Sequence, residues 1–510
     1  MRIEYVCHAC LLIETEDLRI ATDPWFNGPA FCGQWHVFPK PVNSEKLSDV
    51  DAIFVSHGHE DHLHEATMRL LPKTAKVFYP YAFFGGAKEY IEGLGFDRVT
   101  EAVTLRKYKV SAKTAVTFIV NGHDSIMVIE SGGEVLVNAN DALHSSPEKV
   151  IDFYVDLIRE RWPKVDYLFC GFGGASHFPN TIHFEGKDDW ERGVIREQLF
   201  AHNFCRIARD LNAEVAVPFA ADFALLSDHQ RWINTARFPR QKMAGYFARY
   251  FSSNGTRPAI YDMYSGDVLE GSELKKLSPY REHAMNGGIQ RLVDGQYGDE
   301  IAARRRVDLI DEKDAEKLAG EIRANVNKRR TLFDPRKLKG LNFCVRITDV
   351  ETNNCFNVSV GPGSVSVRRG ERPDDDRILT ISLSSKILRY SISSDWGADV
   401  ICVGYGADIE FTAAGLASVD KEKICISLLA CYPTVADLKK KPIRILSFLL
   451  LNPPRFTRSI RKLKKFHDQS DNYDCKTWLL KEIADIRSAY GLPEIDAEFV
   501  PTRELMAGNV

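Results

Sequence analysis

The sequence has no long apolar run, which argues against a membrane-spanning protein. A helix that crosses a bilayer needs about twenty predominantly apolar residues, and the nearest segment, Ile445 to Leu451, is shorter and is followed by Pro453 and Pro454. The first residues, Met1 to Val6, have a strand pattern and lack the apolar core of a secretory signal peptide. We therefore expect a cytoplasmic protein with no transmembrane segment.

An excess of charge of one sign and paired cysteines are also missing. The 67 lysines and arginines nearly balance the 70 aspartates and glutamates, and the net charge is -3. Nothing in the overall charge therefore predicts nucleic-acid binding. The 11 cysteines are scattered without the paired spacing of a zinc ribbon or a disulfide scaffold. Cys7 and Cys10 stand close together, but no second pair completes a metal knuckle, and we interpret both as small core residues.

What the sequence does contain is a dense group of histidines in one turn. The pattern H-x-H-x-D-H follows the apolar, β-branched run 52–55 and precedes a segment of helical spacing. Its members are His57, His59, Asp61 and His62. Alternate side chains of an extended segment share a side, so the first two histidines can face one metal ion and the next two members a second. Imidazole and carboxylate together favour zinc, iron or manganese. A polar surface turn is the less favoured alternative, because the whole chain has only 14 histidines.

Two later strands also end in polar residues. The strand Thr117–Val120 leads into His123, and a hairpin over residues 126–138 ends at Asn140 and Asp141. This order of strands and turns, together with the histidine turn, resembles the metallo-β-lactamase superfamily. The resemblance implies an αββα sandwich that holds one or two metal ions at one edge, and hence an α/β fold class.

The same resemblance implies a set of metal ligands. Six residues match the family's pattern: His57, His59, Asp61, His62, His123 and Asp141. Asp23 matches the acidic loop residue that supports such a site. The family's last histidine normally follows a later strand, here Val215–Val217, but this chain offers Asp222 instead. The second metal would either gain Asp222 as a ligand or keep three protein ligands and be partly empty. The alternative for Asp222 is to cap a helix that starts at Phe223.

Three segments resemble the CMP-N-acetylneuraminate hydroxylase family, in which a domain of this kind follows a Rieske iron–sulfur domain. They are residues 23–31, 173–179 and 218–223. The paired Cys-x-His and Cys-x-x-His motifs of a Rieske domain are absent from this sequence. The resemblance implies four substrate-binding residues and one catalytic residue: Trp25, Gly173, Gly174, Ser176 and His177. The small residues of this loop can also admit backbone amides to an anion, although a tight turn explains them nearly as well. His183 flanks the loop, and we expect it or His177 to reach the site.

The predicted site favours hydrolysis. A metal with an open position lowers the pKa of a bound water to about 7, and Asp61 is placed to accept its proton if the second metal site is empty. The first hypothesis is a hydrolase of esters, lactones, amides or phosphodiesters with one or two divalent ions, zinc foremost and iron or manganese as alternatives. The second is an iron-dependent monooxygenase that takes electrons from a separate protein. The third is a non-catalytic binding module. An acidic sugar or a nucleotide sugar as the small-molecule substrate is implied by the resemblance alone.

The sequence predicts four regions. Residues 1–290 form the metallo-β-lactamase-like domain, and 291–335 form a charged helical connector. Residues 336–425 resemble a small α+β domain of the sterol-carrier type, and 426–510 form a helical tail. Within the tail, residues 455–466 form a basic amphipathic helix. This helix contacts an anionic membrane surface, docks on the protein with its basic face in solvent, or binds an acidic partner surface.

Overall fold

The computed structural model describes most of the chain. The described residues are 1–81, 86–174, 180–252, 257–285, 288–361, 363–375, 377–394, 396–412, 421–430, 442–468, 478, 481–501 and 503. No helix among these residues is long and apolar enough to cross a membrane.

The first sheet has eight strands. They are β1 (Arg2–Cys7), β2 (Cys10–Glu14), β3 (Arg19–Thr22), β5 (Ala52–Phe54), β6 (Lys76–Pro80), β7 (Val99–Ala102), β17 (Val268–Glu270) and β18 (Glu273–Lys275). Their order is β18-β17-β1-β2-β3-β5-β6-β7. Strands β3, β5, β6 and β7 are parallel, so their carboxyl ends meet at one edge of the sheet.

The second sheet has seven strands. They are β8 (Lys107–Lys109), β9 (Thr114–Asn121), β10 (Asp124–Ser131), β11 (Glu134–Asn140), β12 (Tyr167–Gly171), β14 (Val215–Phe219) and β16 (Ala259–Ile260). The order is β16-β14-β12-β11-β10-β9-β8, and β11, β12, β14 and β16 are parallel. Side chains of both sheets, such as Phe54 and Phe118, share one buried cluster. The two sheets therefore pack face to face, as apolar residues on both inner faces require.

Helices cover the outer faces of this sandwich. The helices of the first 285 residues are α1 (Glu65–Leu70), α2 (Ala87–Gly93), α3 (Glu148–Arg161), α4 (Asp189–Leu211), α5 (Ile233–Ala236), α6 (Met243–Tyr250) and α7 (Arg281–Met285). The buried faces of α3 and α4 pack on the second sheet, with Ile151 and Phe204 in the same cluster as Leu168. The predicted α/β fold class and its αββα sandwich are confirmed.

A third sheet of six strands follows the sandwich in the chain. Its strands are β13 (Ile182–Phe184), β19 (Leu341–Ile347), β20 (Cys355–Val360), β21 (Val365–Gly370), β22 (Leu379–Leu383) and β23 (Asp408–Phe411), and a two-stranded sheet joins β4 (Trp35–Val37) to β15 (Phe223–Leu225). Strand β13 pairs in parallel with β23. A segment within residues 1–290 thus completes a sheet built mainly from residues 341–411. The division at 290 and 335 stays a prediction.

The remaining helices lie in the second half of the chain. They are α8 (Ile289–Arg304), α9 (Glu312–Arg329), α10 (Pro335–Leu338), α11 (Ser385–Ser393), α12 (Gly397–Ile401), α13 (Glu422–Leu429), α14 (Pro442–Leu451), α15 (Pro454–Asp468) and α16 (Ile483–Ala489). Helix α9 is the helix predicted within the charged connector. Its Leu318 and Ile322 are buried in one cluster with Phe343, so one face of this charged helix packs against the third sheet. Helices α14, α15 and α16 make most of the described tail helical, as predicted, although residues 490–496 are turn and coil.

Candidate metal centre

The histidine turn lies at the edge where parallel strands end, and contacts with both sheets hold it. The amide of Ser56 donates to Asp23 Oδ1 at 2.6 Å. From the second sheet, the hydroxyl of Ser125 donates to the carbonyl of Ser56, also at 2.6 Å. Asp23 has φ of 39° and Asn140 has φ of 31°, a region that few residues other than glycine adopt. The backbone at Asp23 and at Asn140, on either side of the site, is therefore conformationally constrained as well as buried.

The first group of candidate ligands is His57, His59 and Asp124. Nε2 of His57 lies 2.8 Å from Nδ1 of His59, and 3.5 Å from Oδ1 of Asp124. These facing atoms form one of three clusters with the spacing of metal ligands among the described residues. His123, the predicted third histidine, belongs to none of the three clusters, although it lies near enough that burial and then the charges of neighbouring imidazoles, that of His123 among them, lower the pKa of His57. Asp124, which the sequence did not indicate, occupies that place in the group.

The second group centres on His62. Its Nε2 lies 3.4 Å from Asp141 Oδ2 and 3.5 Å from Asp61 Oδ2. Its Nδ1 faces Asp23 Oδ2 at 3.2 Å. Two overlapping clusters result, one of His57, His62 and Asp141 and one of His8, Asp61 and His62. Because the clusters share His57 and His62, the donor atoms form a continuous set that can accommodate two ions.

His8 is a residue of this site that the sequence did not reveal. It lies in the tight connection between β1 and β2, where its φ is 47°, and it is 1% exposed. Its Nε2 lies 3.0 Å from Oδ2 of Asp61. The neighbouring Cys7 and Cys10 are buried, as expected for core residues. The only signal in the sequence was a lone polar residue between two small apolar ones.

Several polar atoms of the site are buried without a hydrogen-bond partner. Four of them are Oδ1 of Asp61, Nε2 of His62, Oδ1 of Asp124 and Oδ1 of Asp141, and Nδ1 of His8 and Oδ2 of Asp23 are two more. A buried polar atom left without a partner costs about 1–3 kcal/mol, so four such atoms in one place need an explanation. All four are ligand types that zinc, iron and manganese accept. The residues present therefore fit a bound metal.

The electrostatic environment also suits metal binding. Burial lowers the pKa of His57 well below its ordinary value, which keeps its imidazole in the neutral form that binds metals. Burial raises the pKa of Asp124 to about 6. Burial also opposes a charge on His62, but the carboxylates of Asp61 and Asp23 outweigh it and hold its pKa well above the ordinary value. In the absence of a cation, a proton on His62 would offset the carboxylate charge.

Asp222 does not lie among these groups. Its Oδ1 accepts a hydrogen bond from Nη2 of Arg240 at 2.6 Å, and its Oδ2 accepts one from the hydroxyl of Tyr5. Both oxygens are thus engaged, and Asp222 is in none of the clusters found among the described residues. The helix-cap alternative is wrong, because Phe223–Leu225 is the strand β15.

The predicted substrate-binding residues are positioned differently from expectation. Trp25 is completely buried and donates its indole N–H to the carbonyl of Gly28, so it has no surface for a substrate. The amide of Gly174 donates to Oε1 of Glu197 at 3.0 Å and is therefore not available to an anion. A Cβ on Gly173 would lie 2.7 Å from Cβ of Ala221, so close packing requires glycine there. Ser176 and His177 lie outside the described residues.

His183 does not reach the metal centre. Its ring contacts Asp189 at 2.7 Å and Asp408 at 3.2 Å. The prediction that His183 reaches the site is therefore wrong.

A cavity of about 190 Å³ lies beside the loop that follows β14. Its charged lining residues are Asp222, Arg237, Arg240 and Lys242. Asp222 pairs with Arg240, whereas Nη2 of Arg237 and the hydroxyl of Tyr264 are buried without a hydrogen-bond partner. The cavity therefore has more positive than negative groups and donors that an anion can use.

Comparisons with known proteins agree with this fold. Residues 2–153 match the family described as Beta-lactamase superfamily domain. The cytidine monophosphate-N-acetylneuraminic acid hydroxylase of Danio rerio is 26% identical over 261 residues, which are 47% of this chain and 42% of that protein. The Mus musculus protein of the same name is 26% identical over 265 residues, 47% of this chain and 43% of that protein. The matched region thus spans less than half the length of these relatives.

Solved structures with similar architecture include two metalloproteins. One is CmlA, a diiron β-hydroxylase from Streptomyces venezuelae, with a TM-score of 0.36 and 17% identity over 54% of this chain and 54% of that one. The other is Igni18, a metallo hydrolase from Ignicoccus hospitalis, with a TM-score of 0.36 and 15% identity over 54% of this chain and 99% of that one.

Proposed function

We propose that this chain, which contains a metallo-β-lactamase-like domain, is a metal-dependent hydrolase of small acidic substrates. The bond attacked would be an ester, lactone, amide or phosphodiester. The observation that carries the proposal is the set of four buried ligand-type atoms without hydrogen-bond partners at the strand ends. Buried groups of this kind are normally paired with one another or with water, and here their residues belong to clusters whose ligand atoms lie within 4.8 Å of one another.

Two ligand groups would hold the metal ions. His57, His59 and Asp124 would form the first group, with His123 as the further ligand that the family pattern implies. Asp61, His62 and Asp141 would form the second. When bound, zinc, iron or manganese would supply Lewis acidity and a water of lowered pKa.

The chain's own residues would orient the groups and move the proton. Oδ2 of Asp61 is held by Nε2 of His8 at 3.0 Å, while Oδ1 is buried without a hydrogen-bond partner. We infer that Oδ1 of Asp61 binds metal or accepts a proton from the attacking water, and that His8 positions the carboxylate. His177 remains the predicted electrophilic residue.

The positively charged cavity supports an acidic substrate. It is lined by Ala221 and Asp222, which follow β14, and β14 ends beside β12 and β11 in the parallel part of the second sheet. Arg237 stacks on Phe223 with 4.0 Å between its guanidinium and the ring, and this contact holds the side chain at the cavity. A carboxylate or phosphate of the substrate would bind to the unpaired N–H of Arg237.

The curated relatives favour a second candidate function. Their names describe hydroxylases, and a site with several carboxylates and open positions also suits iron and oxygen. In that case the chain would need an electron-transfer partner.

Metal analysis followed by two activity assays tests the proposal. Purified protein should contain one or two equivalents of a divalent metal, and it should hydrolyse members of a panel of acidic esters, lactones and phosphodiesters. Chelation should abolish this activity, and restoring the metal should recover it. Iron content with reductant-dependent oxygen consumption, and no hydrolysis, would instead establish the second candidate. Protein that binds no metal under any of these conditions would refute both.

A further inference from the structure

Helix α14 exposes an unusual number of large apolar side chains. Nine large apolar residues are exposed among the described residues, and five of them lie on this ten-residue helix. Their exposed fractions are 79% for Ile443, 58% for Leu446, 49% for Leu449, 74% for Leu450 and 51% for Leu451. A contiguous apolar surface of this kind on a folded protein marks a contact with a protein or a membrane.

The helix is nevertheless firmly attached through its opposite face. Arg444 pairs with Glu101 at 2.6 Å and lies 3.9 Å from the ring centre of Tyr81. One turn later, Phe448 is 1% exposed. Positions 443, 446 and 450 are spaced to share one side of a helix, away from 444 and 448. Ile443, Leu446 and Leu450 therefore form a defined exposed surface, which we call the leucine face, and their exposure does not result from an unpacked segment.

The next helix has the opposite arrangement. In α15 the apolar residues Phe456 and Leu463 are buried in the cluster formed with α3, and the ring centres of Phe456 and Phe153 are 6.5 Å apart. Of the alternatives predicted for residues 455–466, the helix docked on the protein thus describes the apolar residues Phe456 and Leu463 of α15. Arg458 and Arg461 remain exposed, so α15 offers charge while α14 offers apolar surface.

The charge of this region is strongly positive. Residues 439–465 include ten lysines and arginines and no aspartate or glutamate, in a chain with a net charge of -3. Basic residues near a bilayer are attracted to its anionic headgroups. A protein partner would have to be both acidic and apolar at this place, whereas an anionic lipid surface has both properties throughout.

We propose that α14 and α15 form an interfacial membrane-binding surface. The leucine face of α14 inserts between the headgroups of an anionic bilayer, and the exposed Arg458, Arg461 and Lys462 of α15 contact lipid phosphates and carboxylates. The helix is too short to span the bilayer, so it lies in the plane of the interface. Glu101 and Tyr81, which hold α14, lie at the carboxyl ends of β7 and β6, the sheet edge where β5 leads into His57. Docking therefore brings that edge close to the lipid.

Vesicle co-sedimentation of the full chain tests this proposal without reference to activity. Vesicles of phosphatidylcholine with roughly 30% phosphatidylserine should bind the protein, and pure phosphatidylcholine should bind it much less. Binding to the anionic vesicles should weaken as salt is added, because exposed charges are screened. Equal binding to both vesicle types would overturn the role assigned to the basic residues.

Variants separate the leucine face from general surface apolarity. Leu446→Glu/Leu450→Glu should reduce binding to anionic vesicles roughly tenfold or more, since two leucines lose their transfer from water. Leu277→Glu, at a leucine that is 64% exposed elsewhere on the molecule, should bind as the wild type does. All three sites are exposed, so folding is preserved and is checked by thermal unfolding.

Two results would overturn the proposal. One is anionic vesicle binding that the Leu446→Glu/Leu450→Glu variant retains in full. The other result has three parts: the wild type forms dimers in light scattering, it binds no vesicles, and the Leu446→Glu/Leu450→Glu variant is monomeric. The leucine face would then cover a second copy of the chain.

Discussion

Two groups of histidines and aspartates in this molecule differ in where their polar atoms point. The metal centre contains His8, His57, His59, His62, Asp61, Asp124 and Asp141. A second group, which we call the joining cluster, contains His183, Asp189, His229 and Asp408. In the joining cluster, His183 contacts Asp189 at 2.7 Å and Asp408 at 3.2 Å, and His229 contacts the other oxygen of Asp408 at 3.0 Å. It connects β13 and α4 to β23 of the third sheet.

The comparison shows that residue type alone does not identify a metal site. Both groups combine imidazole with carboxylate, but the joining cluster satisfies its atoms internally, and none of them is among the buried atoms without partners. The metal centre leaves five such atoms, Nδ1 of His8 and one atom each of Asp61, His62, Asp124 and Asp141. Unsatisfied buried donors and acceptors are costly, so they persist where a ligand compensates for them. We therefore expect loss of metal from changes in the first group and loss of stability alone from changes in the second.

The largest effect is expected from removing two ligands of the metal centre. His57→Ala/His59→Ala eliminates two of the imidazoles that face a common point, so metal content should fall by at least one equivalent and activity to background. Elemental analysis measures the metal, and circular dichroism shows whether the fold is retained. Undiminished metal in a folded variant would remove the basis for this site.

Asp141 and Asp222, which each follow a strand of the second sheet, test the difference between a metal ligand and a residue that contributes only to stability. Asp141→Asn should lower metal content, because Asp141 Oδ2 lies 3.4 Å from His62 Nε2 and its Oδ1 has no other partner. Asp222→Asn should leave metal unchanged but reduce the free energy of unfolding by about 3 kcal/mol, since it leaves the buried Arg240 without its counter-charge. Metal analysis and denaturant unfolding on both variants decide this. Loss of metal from Asp222→Asn would restore Asp222 as a ligand.

The residues of this site that were predicted belong to a local sequence pattern, whereas those that were missed or misjudged make contacts with residues far away in the sequence. The turn from His57 to His62 is a local pattern, so its strand-to-turn placement was predictable. His8 reaches Asp61 because β1 and β2 lie beside β3 and β5 in the sheet order, a relation that no local pattern contains. Asp222 was misjudged for the same reason, because its partner Arg240 lies eighteen residues further on and Tyr5 is 217 residues away.

Strands of the αββα sandwich were also predictable from local sequence patterns. Some of its parallel strands, such as β5 and β12, are short buried runs apolar enough to be recognisable in isolation. Strand β13 has only three residues and pairs in parallel with β23, far along the chain. The contacting side chains of His183 in β13 and Asp408 in β23 are 225 residues apart in the sequence. The packing of α9 on the third sheet is likewise hidden by the high charge of that helix, whose buried face is limited to a few positions such as Leu318 and Ile322.

A smaller effect is expected from the joining cluster. Asp408→Asn removes the negative charge that both His183 and His229 contact, so the free energy of unfolding should fall by about 1–2 kcal/mol while metal content stays the same. Denaturant unfolding and elemental analysis provide the two readouts. Asp228→Asn is the matched control, because its carboxylate is 52% exposed and its pairs with Arg305 and, at 3.5 Å, with Arg231 should contribute little. Metal loss from Asp408→Asn would contradict the division between the two groups.

The smallest expected effect is the pH dependence of the joining cluster. Burial opposes a charge on His183, but Asp189 and Asp408 outweigh it and raise its pKa to about 10 from an ordinary 6.5. Stability from this pairing is therefore complete below about pH 6.5 and is lost as the pH rises toward 10. Burial likewise disfavours the ionised form of Asp408, yet His183 and His229 lower its pKa to about 2 from 3.8. Its contribution is therefore present above about pH 3.8 and is lost as the pH falls toward 2.

Between these limits both partners contribute, so the difference in Tm between the wild type and Asp408→Asn should be largest at about pH 5 and should narrow steadily by about pH 10. Asp222→Asn provides the contrast. Its partner is Arg240, whose pKa is raised because the carboxylate of Asp222 outweighs the effect of burial. That guanidinium stays charged over the whole range, so the Tm difference for Asp222→Asn should stay flat from pH 5 to 10. Thermal unfolding of the three proteins across this range measures both differences. A flat profile for Asp408→Asn as well would show that His183 carries no charge in the folded protein, and the joining cluster would then be held by neutral hydrogen bonds alone.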